Sequence, residues 1–120
     1  MILHRWIVAT SIAALVLLLA GCATPGEEAR ISLREWKLEI AQTKRGSGDV
    51  VFLVANNGSA THALRIEGPG IQRQTRNIEP GGSDVLSVRL ERGTYELYCP
   101  IDRHKDRGIT IKLQVGEPQL

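Results

Sequence analysis

A thiol and an imidazole stand five residues apart in Tyr98-Cys99-Pro100-Ile101-Asp102-Arg103-His104, a spacing that lets sulfur and nitrogen converge on one metal ion. A second imidazole, His62, closes the tract Asn56-Asn57-Gly58-Ser59-Ala60-Thr61-His62. Two imidazoles and one thiolate are the equatorial set with which copper carries single electrons. Coordination also removes the thiol proton at neutral pH, because the ion outcompetes it. Against this stands the plain alternative for Cys99, a buried and inert core thiol, which is a common fate of free cysteine.

These side chains need rigid elements to hold them. Beyond residue 30 the chain reads as period-two segments or short apolar runs, each closed by Gly, Pro, Asn or Asp. Strands are predicted at about 31–41, 49–56, 62–67, 84–90, 94–99 and 109–115. Gly46-Ser47-Gly48, Gly68-Pro69-Gly70 and Pro80-Gly81-Gly82 break the runs, and no window holds a capped helical repeat of useful length. Short strands at this spacing imply an all-β sandwich or barrel. The expected inward positions are Leu38, Ile40, Val51, Leu53, Leu64, Ile66, Leu86, Val88, Leu90, Leu97, Ile111, Leu113 and Val115. Aromatic residues are few, and Trp36 is assigned to packing rather than recognition.

The other cysteine belongs to the amino terminus. His4 and Arg5 precede an apolar stretch from Ile7 to Ala20, followed by small residues, which is the pattern of a secretory signal over residues 1–21. Leu19-Ala20-Gly21-Cys22 resembles a bacterial lipobox, and the resemblance implies cleavage before Cys22 and a lipid, diacylglycerol with palmitate-type acyl chains, on its sulfur. An uncleaved transmembrane helix is the alternative, but about 14 apolar residues fall short of the roughly 20 that span a bilayer. Residues 22–30 then form a tether, 31–116 the domain and 117–120 a tail. The expected location is a bacterial membrane face, in the periplasm or at the cell exterior. With Cys22 acylated, Cys99 is a lone thiol in a compartment that favours disulfides.

The order of Trp36-Lys37-Leu38, Gly48-Asp49-Val50-Val51-Phe52, Asn56-x-Gly58 with His62, Pro80-Gly81-Gly82, Gly93-Thr94-Tyr95 and Cys99-Pro100 with His104 resembles the small bacterial cupredoxins of the plastocyanin and azurin type. The resemblance covers residues 31–116 and implies an antiparallel Greek-key β-sandwich with copper at one end. It maps His62 and His104 onto the imidazole ligands and Cys99 onto the thiolate. Gly108-Ile109 lies where relatives have Gly-Met, so the axial position falls to Ile109, which cannot ligate. Ala63 stands where relatives often have an Asn that braces the ligand loop. The weak axial bond adds little affinity, and losing a donor disfavours Cu(II) more than Cu(I).

Zinc would accept the same three donors, yet a structural zinc site takes four protein ligands, and His4 departs with the signal segment. Asp102, on the turn between Cys99 and His104, could in principle supply a fourth, oxygen ligand. The charge run Asp102-Arg103-His104-Lys105-Asp106-Arg107 reads as a solvated loop; as the rim of an electron-transfer patch it would make docking polar and salt-sensitive.

The net charge of +2 excludes a strong field toward nucleic acid. No Gly-x-Ser-x-Gly elbow is present, and nothing else points to an enzyme. The sequence thus leads to a monomeric, membrane-tethered copper protein exchanging single electrons with a redox partner. A Cu(I) delivery or storage module serving a copper donor or acceptor, and a metal-free interaction domain, are the alternatives.

Overall fold

The computed structural model describes residues 26–118. The expected signal segment 1–21 and Cys22, the expected point of lipid attachment, lie outside the described residues. Nine strands follow in chain order: β1 Glu27–Arg34, β2 Lys37–Ile40, β3 Lys44–Gly46, β4 Gly48–Asn56, β5 Arg65–Gly68, β6 Ile71–Gln74, β7 Ser83–Leu90, β8 Gly93–Tyr98 and β9 Thr110–Gly116. Among the described residues a single short helix, α1 His104–Arg107, interrupts the step from β8 to β9. Among the described residues no helix is long and apolar enough to cross a membrane.

The strands form the expected all-β sandwich, a four-stranded sheet ordered β2-β1-β4-β7 facing a five-stranded sheet ordered β3-β9-β8-β5-β6. Pairing is antiparallel except for β1 with β4 and β3 with β9, which are parallel. Each sheet buries its alternate side chains against the other. Strand β7 shows the period most plainly, with Leu86, Val88 and Leu90 buried while Val85, Ser87 and Arg89 face solvent. The core also takes Ile31, Leu33, Phe52, Val54, Leu64, Ile66, Leu97, Leu113 and the Tyr95 ring, whose hydroxyl donates to the Glu91 carbonyl.

Several expectations need correction. In β4 the buried residues are Val50, Phe52, Val54 and Asn56, so Val51 and Leu53 lie on the outer face, half-buried. A one-residue change of phase exchanges the two faces of a strand, and Val50–Val54 is apolar throughout, so nothing within it marks the phase. Ile40 and Ile111 are also half-buried, packed against the edge of the core. The expected strand over 31–41 is two strands, β1 and β2, folded into a hairpin at Glu35 and Trp36.

Residues 27–30, assigned to the tether, belong to β1 and pair with Val50 to Leu53 of β4. The expected strand from residue 62 starts at Arg65, with His62 held outside it by an isolated bridge to Ile78. Short polar edges β3 and β6 escaped prediction because backbone pairing alone identifies them.

Candidate metal centre

Three segments meet at one end of the sandwich: the loop after β4, the β8–α1–β9 connection, and the turn between β1 and β2. The first carries His62. Its loop is anchored by Asn56, fully buried, whose amide donates to the carbonyls of Ala60 at 2.8 Å and Ile78 at 2.7 Å and whose side-chain carbonyl accepts from Gly58 N–H at 2.9 Å. The His62 backbone exchanges hydrogen bonds with Ile78, at 3.1 and 2.7 Å, and Leu64 N–H donates to Thr75 Oγ1 at 3.0 Å. The His62 loop is thus braced by Asn56, while Ala63, beside the histidine, is a fully buried packing residue.

Cys99 leaves the end of β8, its N–H donating to the Ile109 carbonyl at 3.0 Å. His104 opens α1, its N–H donating to Ile101 O and its carbonyl accepting from Ile109 N–H, both at 3.1 Å. Ile109 is thus tied by its backbone to both residues, and its side chain is fully buried. The helix ends at Gly108, where φ is 128° and an added Cβ would stand 2.6 Å from the Trp36 carbonyl. Only glycine meets both conditions.

The ring nitrogens and the sulfur converge. His62 Nδ1 lies 3.9 Å from Cys99 Sγ, His104 Nδ1 lies 3.6 Å from it, and the two nitrogens are 3.3 Å apart. All three side chains are buried. An ion at about 2.3 Å from sulfur and about 2.0 Å from each nitrogen in a roughly trigonal set would space its nitrogens about 3.5 Å apart and hold each about 3.7 Å from the sulfur. The observed separations fit a metal of that size with little movement. Asp102 is exposed and stands apart from this group, which leaves no carboxylate as a fourth donor.

The β1–β2 turn touches both imidazoles, and sequence reasoning missed half of it. Glu35 Oε1 lies 3.0 Å from His62 Nε2 and also accepts from the backbone N–H groups of Ser59, at 3.1 Å, and Ala60, at 2.7 Å. Gly58 admits this carboxylate, since a Cβ there would lie 2.6 Å from Oε2. The Ser59 N–H chiefly, then those of Glu35 itself and Ala60, hold the Glu35 carboxyl down at about 2; partial burial opposes them and His62 adds the least. It is a carboxylate at any ordinary pH. With a charged acceptor behind Nε2, the proton of neutral His62 belongs on Nε2 and the Nδ1 lone pair points at Cys99 and His104.

Trp36 does pack, as expected, but onto the site rather than into the core. Its ring lies 5.2 Å from that of His104, centroid to centroid, and the Arg107 guanidinium covers it at 4.6 Å. Around His104 the charged run is exposed at every position, Arg103 paired with Asp106, while Lys105 pairs with Glu96 and lies 4.1 Å over the Tyr98 ring. The Glu96 carboxylate raises the Lys105 pKa, and the Tyr98 hydroxyl, donating at 2.6 Å, chiefly lowers that of Glu67.

The chain matches no protein-family model and no curated protein. Solved structures do resemble it. Auracyanin B is 17% identical, with 78% of this chain and 91% of that one covered and a TM-score of 0.66. Auracyanin A, a blue copper protein of the photosynthetic bacterium Chloroflexus aurantiacus, is 15% identical over 74% of this chain and 98% of its own, with a TM-score of 0.61. A multicopper oxidase is 17% identical over 75% of this chain but only 42% of its own, with a TM-score of 0.57. At these identities the likeness is one of fold, and the fold is that of a small cupredoxin.

Proposed function

We propose that this chain is a copper-binding carrier of single electrons, its ion held by His62 Nδ1, Cys99 Sγ and His104 Nδ1. The observation that carries the reading is the buried convergence of those three atoms, at 3.3 to 3.9 Å from one another, on a fold shared with blue copper proteins. Two borderline nitrogens and one soft sulfur suit copper in both oxidation states. Bound copper supplies the chemistry, a one-electron cycle between Cu(I) and Cu(II).

The residues of the chain supply the rest. Asn56, Ile78 and Thr75 fix the His62 loop, and the Ile109 backbone fixes the spacing of Cys99 and His104, so that the donors need not rearrange when the charge of the ion changes. Ile109 contributes bulk and no donor, which favours the lower oxidation state. Trp36 and the exposed charges of residues 102–107 form the face where a redox partner would dock. We further read Cys22 as the lipid anchor, with the domain tethered outside a bacterial membrane and acting as a monomer that is not itself an enzyme.

Copper titration of the full-length protein in detergent tests this reading. One equivalent of Cu(II) should give a strong visible thiolate-to-copper charge-transfer band. The lack of an axial donor at Ile109 favours a second reading, a Cu(I) delivery or storage module, and a colourless protein that binds one Cu(I) would select it. A protein that binds neither ion would leave an interaction domain. Mass spectrometry should find a lipid-modified amino terminus at residue 22, whereas a Cys22–Cys99 disulfide would overturn both the anchor and the site.

A further inference from the structure

The two imidazoles of the site are supported in different ways. His104 is covered by an aromatic ring, whereas His62 has an ionised carboxylate on the nitrogen opposite the one it offers to the site. We infer that Glu35 is a positioning and tuning residue for the metal: it fixes His62 in the tautomer that presents Nδ1, strengthens that nitrogen as a donor, and thereby favours Cu(II) relative to Cu(I), offsetting the absent axial sulfur at Ile109. This inference rests on the copper reading for its redox part and on geometry alone for its tautomer part.

The carboxylate is built into place. Its oxygens take the N–H groups of Ser59 and Ala60, and the missing side chain of Gly58 leaves it room. Glu35 is 23% exposed while His62 is not exposed at all, so the charge lies at the boundary between solvent and the buried ring. A negative charge hydrogen-bonded to Nε2–H pushes electron density through the imidazole toward Nδ1, and outer partners of this kind change metal affinity by about 10- to 100-fold. The gain is greater for the more highly charged ion. His104 has no such partner among the described residues, so the push acts through one ligand only.

A purely structural role is the competing account, in which Glu35 staples the β1–β2 turn to the His62 loop through Ser59 and Ala60. Glu35→Gln separates the two. An amide oxygen at the place of Oε1 can still accept from Ser59, Ala60 and His62, since all three reach that one oxygen, while the charge is gone. The full-length protein is loaded with copper in detergent, and wild type and Glu35→Gln are compared by voltammetry and visible spectrum. Both should retain the charge-transfer band, and the variant should show a raised potential, about 59 mV for a tenfold loss of Cu(II) affinity relative to Cu(I). Equal or lowered potential in the variant would overturn the tuning role.

Nitrogen-15 NMR of the metal-free wild type, with the pH raised until the imidazole signals stop changing, is independent of copper. It should show the His62 proton on Nε2, with that preference lost in Glu35→Ala. A His62 proton on Nδ1 in the wild type would overturn the positioning role even if the protein never took up copper. Absence of the visible band from the wild type would instead count against the electron-carrier reading and leave the tautomer measurement to decide on Glu35.

Discussion

The loop that carries His62 and the loop that carries Cys99 and His104 meet at the same cluster of donors, yet they are held by different means. The His62 loop is locked by side chains: Asn56 bonds to two carbonyls, Glu35 to two N–H groups and to the imidazole, and Thr75 to Leu64. The β8–α1–β9 loop is held by its own backbone through Ile109 and covered by one aromatic ring, with charged side chains around it in solvent. A buried polar network rigidifies only when it is complete, so the His62 side is the fixed side of the site. The other side carries the buried thiol of Cys99, with the Trp36 ring lying against His104.

The largest effect should come from the side that carries Cys99. Cys99→Ser removes the soft donor and should abolish the visible band outright, with little loss of fold because sulfur and oxygen differ modestly in size; a persisting band would place the copper elsewhere. On the locked side, Asn56→Ala strips two carbonyls and one N–H of a partner. It should cost about 2 kcal/mol in urea unfolding of the metal-free protein. A cost near zero would mean that the His62 loop is no more rigid than its counterpart, and the comparison would fail.

How much of this difference can be read in the residues alone depends on distance along the chain. Cys99 and His104 declare themselves because only four residues of loop separate them. His62 is legible as a second imidazole closing a turn tract and is placed at the site by the ordered resemblance, but Glu35 is not legible at all: a carboxylate 27 residues before its histidine, in a tract that reads as continuous strand, carries no local signal. The β1 start at Glu27 was present in the alternation of Ala29, Ile31 and Leu33, but the polar residues between them resemble a tether. The phase of β4 was not present, since both of its faces are apolar and its register is set by β1 and β7.

Smaller effects sharpen the contrast. Replacing Arg103 and Arg107 together by Gln should slow oxidation of the reduced protein by the anionic hexacyanoferrate(III) a few-fold at low salt, and the difference should vanish at high salt. An equal slowing at all salt concentrations would assign these residues to the stability of α1 instead. Smaller still is the Glu67 contribution beneath the exposed loop. Its pKa lies below the usual carboxylate range chiefly because the Tyr98 hydroxyl donates to it, so it adds stability above that range and loses it as pH falls through the lowered value. Glu67→Gln should therefore flatten the acid limb of the stability profile slightly and leave stability at neutral pH a little lower.

The account stands on three donors and no fourth. X-ray absorption at the copper edge, on the loaded protein in both oxidation states, counts them. It should find one sulfur and two nitrogens around each copper, with the sulfur lost in Cys99→Ser. A shell of oxygens and nitrogens without sulfur, or one that Cys99→Ser leaves unchanged, would contradict the site built from His62, Cys99 and His104.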